Sequence, residues 1–155
     1  MKIAIGLTDK QRESIAEGVS RLLADTYVLY LKTQNFHWNV TGPNFKSLHV
    51  MFDEQYNELA AAVDVLAERI RALGVAAPAS FSKFTKLSKI KEENKVPKWQ
   101  DMVAQLLEGH ETAIQTTLDM MDVVKKADDE VTLNLLAERM DAHGKTAWML
   151  RSTIS

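Results

Sequence analysis

Two histidines and three carboxylates lie within residues 37–68 and have the side-chain chemistry of a metal site: His37, His49, Asp53, Asp64 and Glu68. Carboxylate oxygens are hard ligands, and neutral imidazole nitrogen suits iron, zinc or copper. His49 precedes Asp53 by four residues, and Asp64 precedes Glu68 by four. Residues at this spacing share one face of a helix, so each pair could hold one ion.

The spacing along the chain divides these five residues into two groups. Asp53 and Asp64 are 11 residues apart, which is roughly 16 Å along an α-helix and too far for one metal ion to span. We therefore expect one half-site with His37, His49 and Asp53, and another with Asp64 and Glu68. They would meet if two copies packed antiparallel about a two-fold axis near residues 58–59, which gives two equivalent sites per dimer.

Apolar residues at helical spacing predict four long helices and one short one. The first spans about residues 9–39 after the capping box formed by Thr8 and Gln11, and the second spans about 44–73 before Gly74. A short helix is expected around residues 81–90. The third long helix spans about 98–126, and the fourth runs from 128–130 to about 152. This all-α pattern, with one long connection between the second and third long helices, predicts a ferritin-like four-helix bundle with a short extra helix in that connection.

Solvated helix surface is an alternative role for the same five residues. A charged pair four residues apart is more often surface than a metal site, and only the complete set on one stripe favours metal. A ferritin-type di-iron site inside the bundle is a second alternative, which would require Glu three positions before His on two helices. The residues at those positions are Gln34, Lys46, Leu107 and Met140, so we do not expect that site.

The composition is that of one soluble, globular domain covering residues 1–155. Hydrophobic residues make up 46% and charged residues 26%, and the absence of cysteine excludes thiol catalysis and cysteine-ligated metal sites. The net charge of −2 gives no indication of a nucleic-acid or membrane partner. The opening segment MKIAIGL is too short for a signal-peptide core of roughly 7–15 residues, so we expect a cytoplasmic protein.

The segment NFHWNVTGPNFKSLHVMFDEQY, followed by DVLAERIRALG, closely resembles the Dps family, also called miniferritins. The likeness covers nearly the whole chain, including KTAWML near its end. The family motif is His-Trp, then His-x-x-x-Asp, then a later Asp-x-x-x-Glu. The matching residues are His37, Trp38, His49, Asp53, Asp64 and Glu68.

This resemblance implies an iron-storage ferroxidase that assembles as a hollow dodecamer built from two-fold dimers. Such proteins oxidise Fe(II), preferentially with hydrogen peroxide, and store Fe(III) mineral inside the shell, which protects DNA from oxidative damage. Asp64 and Glu68 would be the principal iron ligands, together with His37 of the second subunit. His49 and Asp53 would complete or orient the second iron position. Zinc could substitute for iron.

The resemblance also gives roles to residues outside the motif. Trp38 would lie beside the iron centre and trap stray oxidising equivalents, or would be a core or interface aromatic residue. The acidic run at residues 128–130 would line an iron-entry pore or supply helix N-terminal charges, although Asn134 stands where some relatives carry a pore acid. His110 and His143 are expected to be surface or packing histidines.

The alternative function is that of a DNA-coating nucleoid cage with little metal chemistry. Many members of the family bind DNA, often through a flexible lysine-rich tail. Only one lysine precedes Thr8 in this chain. The lysines of residues 83–98 could contact phosphates, or they could be solvated surface.

Overall fold

The computed structural model describes residues 3–155, and these residues form five α-helices and no strand. The helices are α1 (Asp9–Asn39), α2 (Phe45–Ala72), α3 (Phe81–Leu87), α4 (Trp99–Lys126) and α5 (Glu130–Ile154). The all-α prediction is confirmed, and each long helix begins and ends within two residues of its predicted bounds. None of the five is long and apolar enough to cross a bilayer. Residues 1–2, part of the opening segment considered as a signal peptide, lie outside the described residues.

The first two helices have the ends that local chemistry predicts. Thr8 caps α1, because its Oγ1 accepts from the Gln11 N–H and its own N–H donates to Gln11 Oε1 at 2.8 Å. Gly74 follows α2 with φ of +88°, a left-handed conformation that favours glycine. Its N–H donates to the Arg71 carbonyl at 2.9 Å. These caps fix the length of the α1–α2 hairpin.

The four long helices form a bundle in which α1 packs on α2 and α4, and α5 packs on α4. The contact between α2 and α5 is the least extensive of the contacts between neighbouring helices. Two ion pairs cross it: Arg69 Nη2 lies 2.8 Å from Asp129, and Arg139 is paired with Glu58. Long polar side chains therefore bridge α2 and α5, whereas close apolar packing joins the other neighbouring long helices.

The apolar core consists of two clusters, one towards each end of the bundle. The first includes Leu22, Leu66 and Leu136, all completely buried. The second includes the equally buried Phe36 and Phe52. Each buried leucine or phenylalanine contributes about 1.5–3 kcal/mol relative to an exposed side chain. Both clusters include residues of α1 and α2 and thus hold these two helices against each other.

A buried carboxylate fastens the connection between α2 and α4 to the bundle. Asp25 of α1 is 1% exposed. Its Oδ1 accepts from Ser88 Oγ at 2.7 Å and from the Lys89 N–H at 2.8 Å, and its Oδ2 accepts from Thr116 Oγ1 at 2.6 Å. One side chain therefore joins α1, the connection and α4.

We expect Asp25→Ala to lower the free energy of unfolding by about 2–4 kcal/mol, because three donors, one of them the buried Thr116 hydroxyl, lose a buried charged acceptor. Urea unfolding followed by circular dichroism measures this change. Asp122→Ala is the matched control, since Asp122 is exposed on α4, and it should change stability by less than about 0.5 kcal/mol. Equal effects of the two substitutions would contradict the role assigned to Asp25.

Candidate metal centre

The hairpin between α1 and α2 stacks two imidazoles against each other. His37 lies near the end of α1 and His49 lies near the start of α2. Their ring centroids are 3.8 Å apart and the ring planes are inclined by 17°. His37 Nδ1 is 2.7 Å from the His49 carbonyl oxygen, and His49 Nδ1 is 2.8 Å from the His37 carbonyl oxygen. Each histidine is thus fixed by the backbone of the other.

These reciprocal hydrogen bonds determine where the imidazole protons lie. A carbonyl oxygen only accepts, so the Nδ1 atoms of both His37 and His49 carry the proton and donate. In the neutral ring, Nε2 then keeps its lone pair, which is the form that binds metal. His37 Nε2 lies 4.0 Å from Asp53 Oδ1. The structure therefore places His37 and His49 side by side, with Asp53 beside His37.

Tyr56 positions this cluster, and its role is not among those predicted from the sequence. Its hydroxyl donates to Asp53 Oδ1 at 2.7 Å, and its ring meets the His37 ring edge-on at a centroid distance of 5.2 Å. The hydrogen bond to Asp53, followed by burial, raises the pKa of Tyr56 above its ordinary value. Tyr56 follows Asp53 by three residues, so helical spacing alone could have indicated that the two side chains meet.

Asp64 and Glu68 lie further along the same face of α2 and are both exposed. Among the described residues, neither side chain has a hydrogen bond or an ion pair. No three His, Asp or Glu side chains in residues 3–155 lie close enough together to hold a metal ion. One chain thus presents the five residues as two groups, with the histidines in one and the two exposed carboxylates in the other.

Trp38 is adjacent to His37 and is 62% exposed. The expectation that it could be a core aromatic residue is therefore wrong. Val65, between the two exposed carboxylates, is 49% exposed. Large apolar side chains thus flank both groups of candidate ligands on the surface of a single chain.

Within the acidic run at residues 128–130, Asp129 has the helix N-terminal role and not the pore-lining role. Asp129 is 6% exposed, accepts from Arg69 Nη2 at 2.8 Å with both carboxylate oxygens, and caps α5 through the Thr132 N–H. Burial opposes ionisation of Asp129, but the hydrogen bonds from Thr132 and Arg69 prevail and lower its pKa. Asp129 is thus a helix N-terminal charge and is not available to a pore, whereas Asp128 and Glu130 are exposed.

His110 and His143 are buried, at 1% and 0% exposure, and not on the surface. Their Nδ1 atoms are 2.8 Å apart. No local pattern signals this pairing, because the two residues are 33 positions apart in the chain. The expectation of packing histidines is confirmed, and that of surface histidines is wrong.

Comparison with known proteins identifies close relatives over nearly the whole chain. A family model described as a ferritin-like domain matches residues 16–155. The chain is 34% identical to "DNA protection during starvation protein 2" of Bacillus anthracis, over 92% of this chain and 98% of that protein. It is 40% identical to a low temperature-induced protein of Nostoc, over 99% of this chain and 87% of that protein.

Solved structures show the same architecture. The Dps protein of Vibrio cholerae, described as a member of a superfamily of ferritin-like diiron-carboxylate proteins, matches with a TM-score of 0.92 and 30% identity. The match covers 96% of this chain and 94% of that one. Dps from Bacillus brevis matches with a TM-score of 0.90 and 32% identity, over 94% of this chain and 98% of that one.

The reciprocal hydrogen bonds predict the tautomers of His37 and His49. In metal-free protein with both rings neutral, both should carry the proton on Nδ1 and leave Nε2 unprotonated. NMR of ¹⁵N-histidine-labelled protein measures this directly, because protonated and unprotonated ring nitrogens have well-separated shifts. A protonated Nε2 on either neutral ring would contradict the geometry described for the pair.

Proposed function

The chain belongs to the Dps family of ferritin-like proteins, and we propose that it is an iron-storage and detoxification protein with ferroxidase activity. The observation that carries this proposal is the stacked pair of His37 and His49, whose reciprocal hydrogen bonds leave Nε2 of both rings unprotonated, that of His37 4.0 Å from Asp53. Two further exposed carboxylates lie on the same helix. Imidazole nitrogen with carboxylate oxygen is a ligand set that suits iron.

We further propose that each iron site is shared between two subunits. A two-fold axis that pairs residue 53 with residue 64 of another copy crosses α2 midway between residues 58 and 59, and the same axis pairs residue 49 with residue 68. One antiparallel contact would therefore bring both carboxylates opposite the histidine group. Ala60 and Ala61 are exposed close to this point, and small residues allow two helices to approach closely.

In the proposed reaction, two Fe(II) ions each lose one electron. The O–O bond of one hydrogen peroxide molecule breaks, and two protons and the two electrons convert it to two water molecules. Asp64 and Glu68 would supply negative charge, which stabilises Fe(III) more than Fe(II). His37 Nε2 would orient the iron from the second subunit, while Tyr56 holds Asp53 in position. Zinc binds the same ligand types without redox chemistry, so it would act as an inhibitor.

The product Fe(III) would be stored as mineral inside a closed dodecamer of two-fold dimers. This removes both Fe(II) and peroxide, the reagents that generate hydroxyl radical, and would thereby protect DNA in the cytoplasm. Exposed apolar side chains support an oligomer, since Trp38, Val131 and Trp148 are each more than 60% exposed on one chain. Patches of this kind mark contact surfaces.

Direct DNA binding is the second candidate function. Six lysines lie exposed along α3 and the connection to α4: Lys83, Lys86, Lys89, Lys91, Lys95 and Lys98. Each would be displayed many times on a shell. Lys89 is already paired with Asp119 at 2.8 Å, which reduces the charge available to phosphates. The ferroxidase proposal has the stronger support, because its ligand set is complete.

We expect Asp64→Asn and His37→Asn each to slow Fe(II) oxidation at least about tenfold, because each removes an iron ligand. Ferric absorbance after addition of Fe(II) and peroxide measures the rate. Glu54→Gln, which changes an exposed carboxylate on the same helix, should stay within about twofold of the native rate. An unmodified chain that oxidises iron no faster than buffer would overturn the proposed function.

The shared site predicts rescue between two inactive chains. Co-assembly of Asp64→Asn chains with His37→Asn chains should restore part of the activity, because a mixed dimer contains one site with neither substitution. Native mass spectrometry verifies that the mixed dimers have formed. Mixed dimers without activity would mean that each site is built within one chain.

DNA binding through the lysines should be weak and steeply salt-dependent. A gel shift at low salt should be lost at physiological salt, and Lys83→Gln/Lys86→Gln should weaken it at low salt, because each neutralised phosphate contact releases a counterion. Binding that persists at physiological salt would favour the DNA-coating function.

A further inference from the structure

A buried polar layer, which contains none of the candidate iron ligands, crosses the middle of the bundle. Two ion pairs set the antiparallel register of α2 and α5: Arg69 lies opposite Asp129, and Glu58 lies opposite Arg139. Gln55, 7% exposed on α2, therefore lies level with residues 142–143 of α5. His110 and His143 are hydrogen-bonded to each other at this level.

The hydrogen bonds of this layer fix both imidazoles in the neutral form. Arg139 Nη2 lies 3.4 Å from His143 Nε2, and guanidinium only donates, so His143 Nε2 carries a lone pair. His143 Nδ1 must then hold the proton and donate to His110 Nδ1 at 2.8 Å. His110 in turn carries its proton on Nε2, a buried atom with no hydrogen-bond partner among the described residues.

The same geometry argues against a metal ion at this position. The Arg139 guanidinium would repel a cation, and the Glu58 carboxylate is already paired with Arg139. Within residues 3–155, only one ring nitrogen of the pair, His110 Nε2, has no partner. A proton is therefore the cation to which the layer would respond.

We propose that the paired imidazoles of His110 and His143 form an acid-sensitive lock on the bundle, in which a single protonation breaks the hydrogen bonds between α4 and α5. Protonated His143 would turn an Nε2–H towards the donors of Arg139. Protonated His110 would turn an Nδ1–H towards the Nδ1–H of His143. Either event replaces a hydrogen bond with two opposed donors and places an additional positive charge in a buried layer.

The groups facing the pair do not offset that charge. Arg139 of α5 is positive, and Glu58 of α2 is bound to it. Gln55 of α2 is uncharged, as is the buried Leu29 of α1, which lies against Gly109 beside His110. At the edge of the layer, Lys32 of α1 interacts with the carboxylates of residues 93 and 108. Among the described residues, no carboxylate forms a hydrogen bond or an ion pair with either imidazole.

Burial, with a smaller contribution from Arg139, lowers the pKa of His110 to about 3. Burial, then His110 and Arg139, lowers the pKa of His143 well below 6.5. The unfolded chain binds these protons near pH 6.5 and the folded chain does not. Stability is thus complete above pH 6.5 and falls as pH drops towards the folded-state pKa. Two such groups change the folding equilibrium constant by up to about 100-fold per pH unit in this window.

The test compares the native chain with His110→Asn/His143→Gln, in its native assembly and at one protein concentration. Both amides can keep the hydrogen bonds of the layer but cannot be protonated. Urea unfolding is measured between pH 5 and pH 8, where ordinary carboxylates remain mostly ionised. Leu106→Met is the control, because it perturbs a fully buried position on α4 without removing a titratable group.

We expect the native chain and Leu106→Met to lose stability with the same steep slope below pH 6.5. In the double variant, the change in the folding equilibrium constant per pH unit should be at least tenfold smaller. Equal slopes in all three proteins would overturn the lock. NMR of ¹³C-histidine-labelled native protein tests the same point without a variant. The signals of His110 and His143 should not titrate down to pH 5, and their titration near pH 6.5 would also overturn it.

Discussion

The reciprocal hydrogen bonds between His37 and His49 constrain the rest of the candidate centre. Each imidazole is held by the carbonyl of the other residue, so the α1–α2 turn, the register of the two helices and the orientation of both rings are one linked arrangement. The capping box before α1 and the glycine after α2 set the ends of this hairpin. A shift of one residue in the register would break both hydrogen bonds and move His37 Nε2 away from Asp53.

The bundle uses its four histidines in two opposite ways. At the hairpin, backbone carbonyls occupy Nδ1 and leave Nε2 free. At the bundle centre, His143 has a partner on both nitrogens and His110 has one on Nδ1. The first arrangement is suited to binding a metal ion, whereas the second is suited to holding helices together. The chemistry of each pair therefore follows from which nitrogens the fold occupies, since the residue type is the same.

The fold and the histidine group of the site could be predicted from sequence, because both depend on local signals. Helical periodicity and caps define α1 and α2, and the i, i+4 spacing places His49 beside Asp53. The contacts that the sequence did not reveal are those between distant residues. The His110–His143 pair joins α4 to α5, and Arg69 withdraws Asp129 from the surface. The residue types gave no indication of these partners, because burial and register are decided only when the helices pack.

The central claim is that one iron site requires residues from two chains. Diffraction from crystals of the assembled protein soaked anaerobically with Fe(II), with anomalous data collected at the iron edge, tests it most directly. We predict iron bound by Asp64 and Glu68 of one subunit and His37 of its two-fold partner. Iron bound by residues of a single chain, or found only away from α2, would contradict the account.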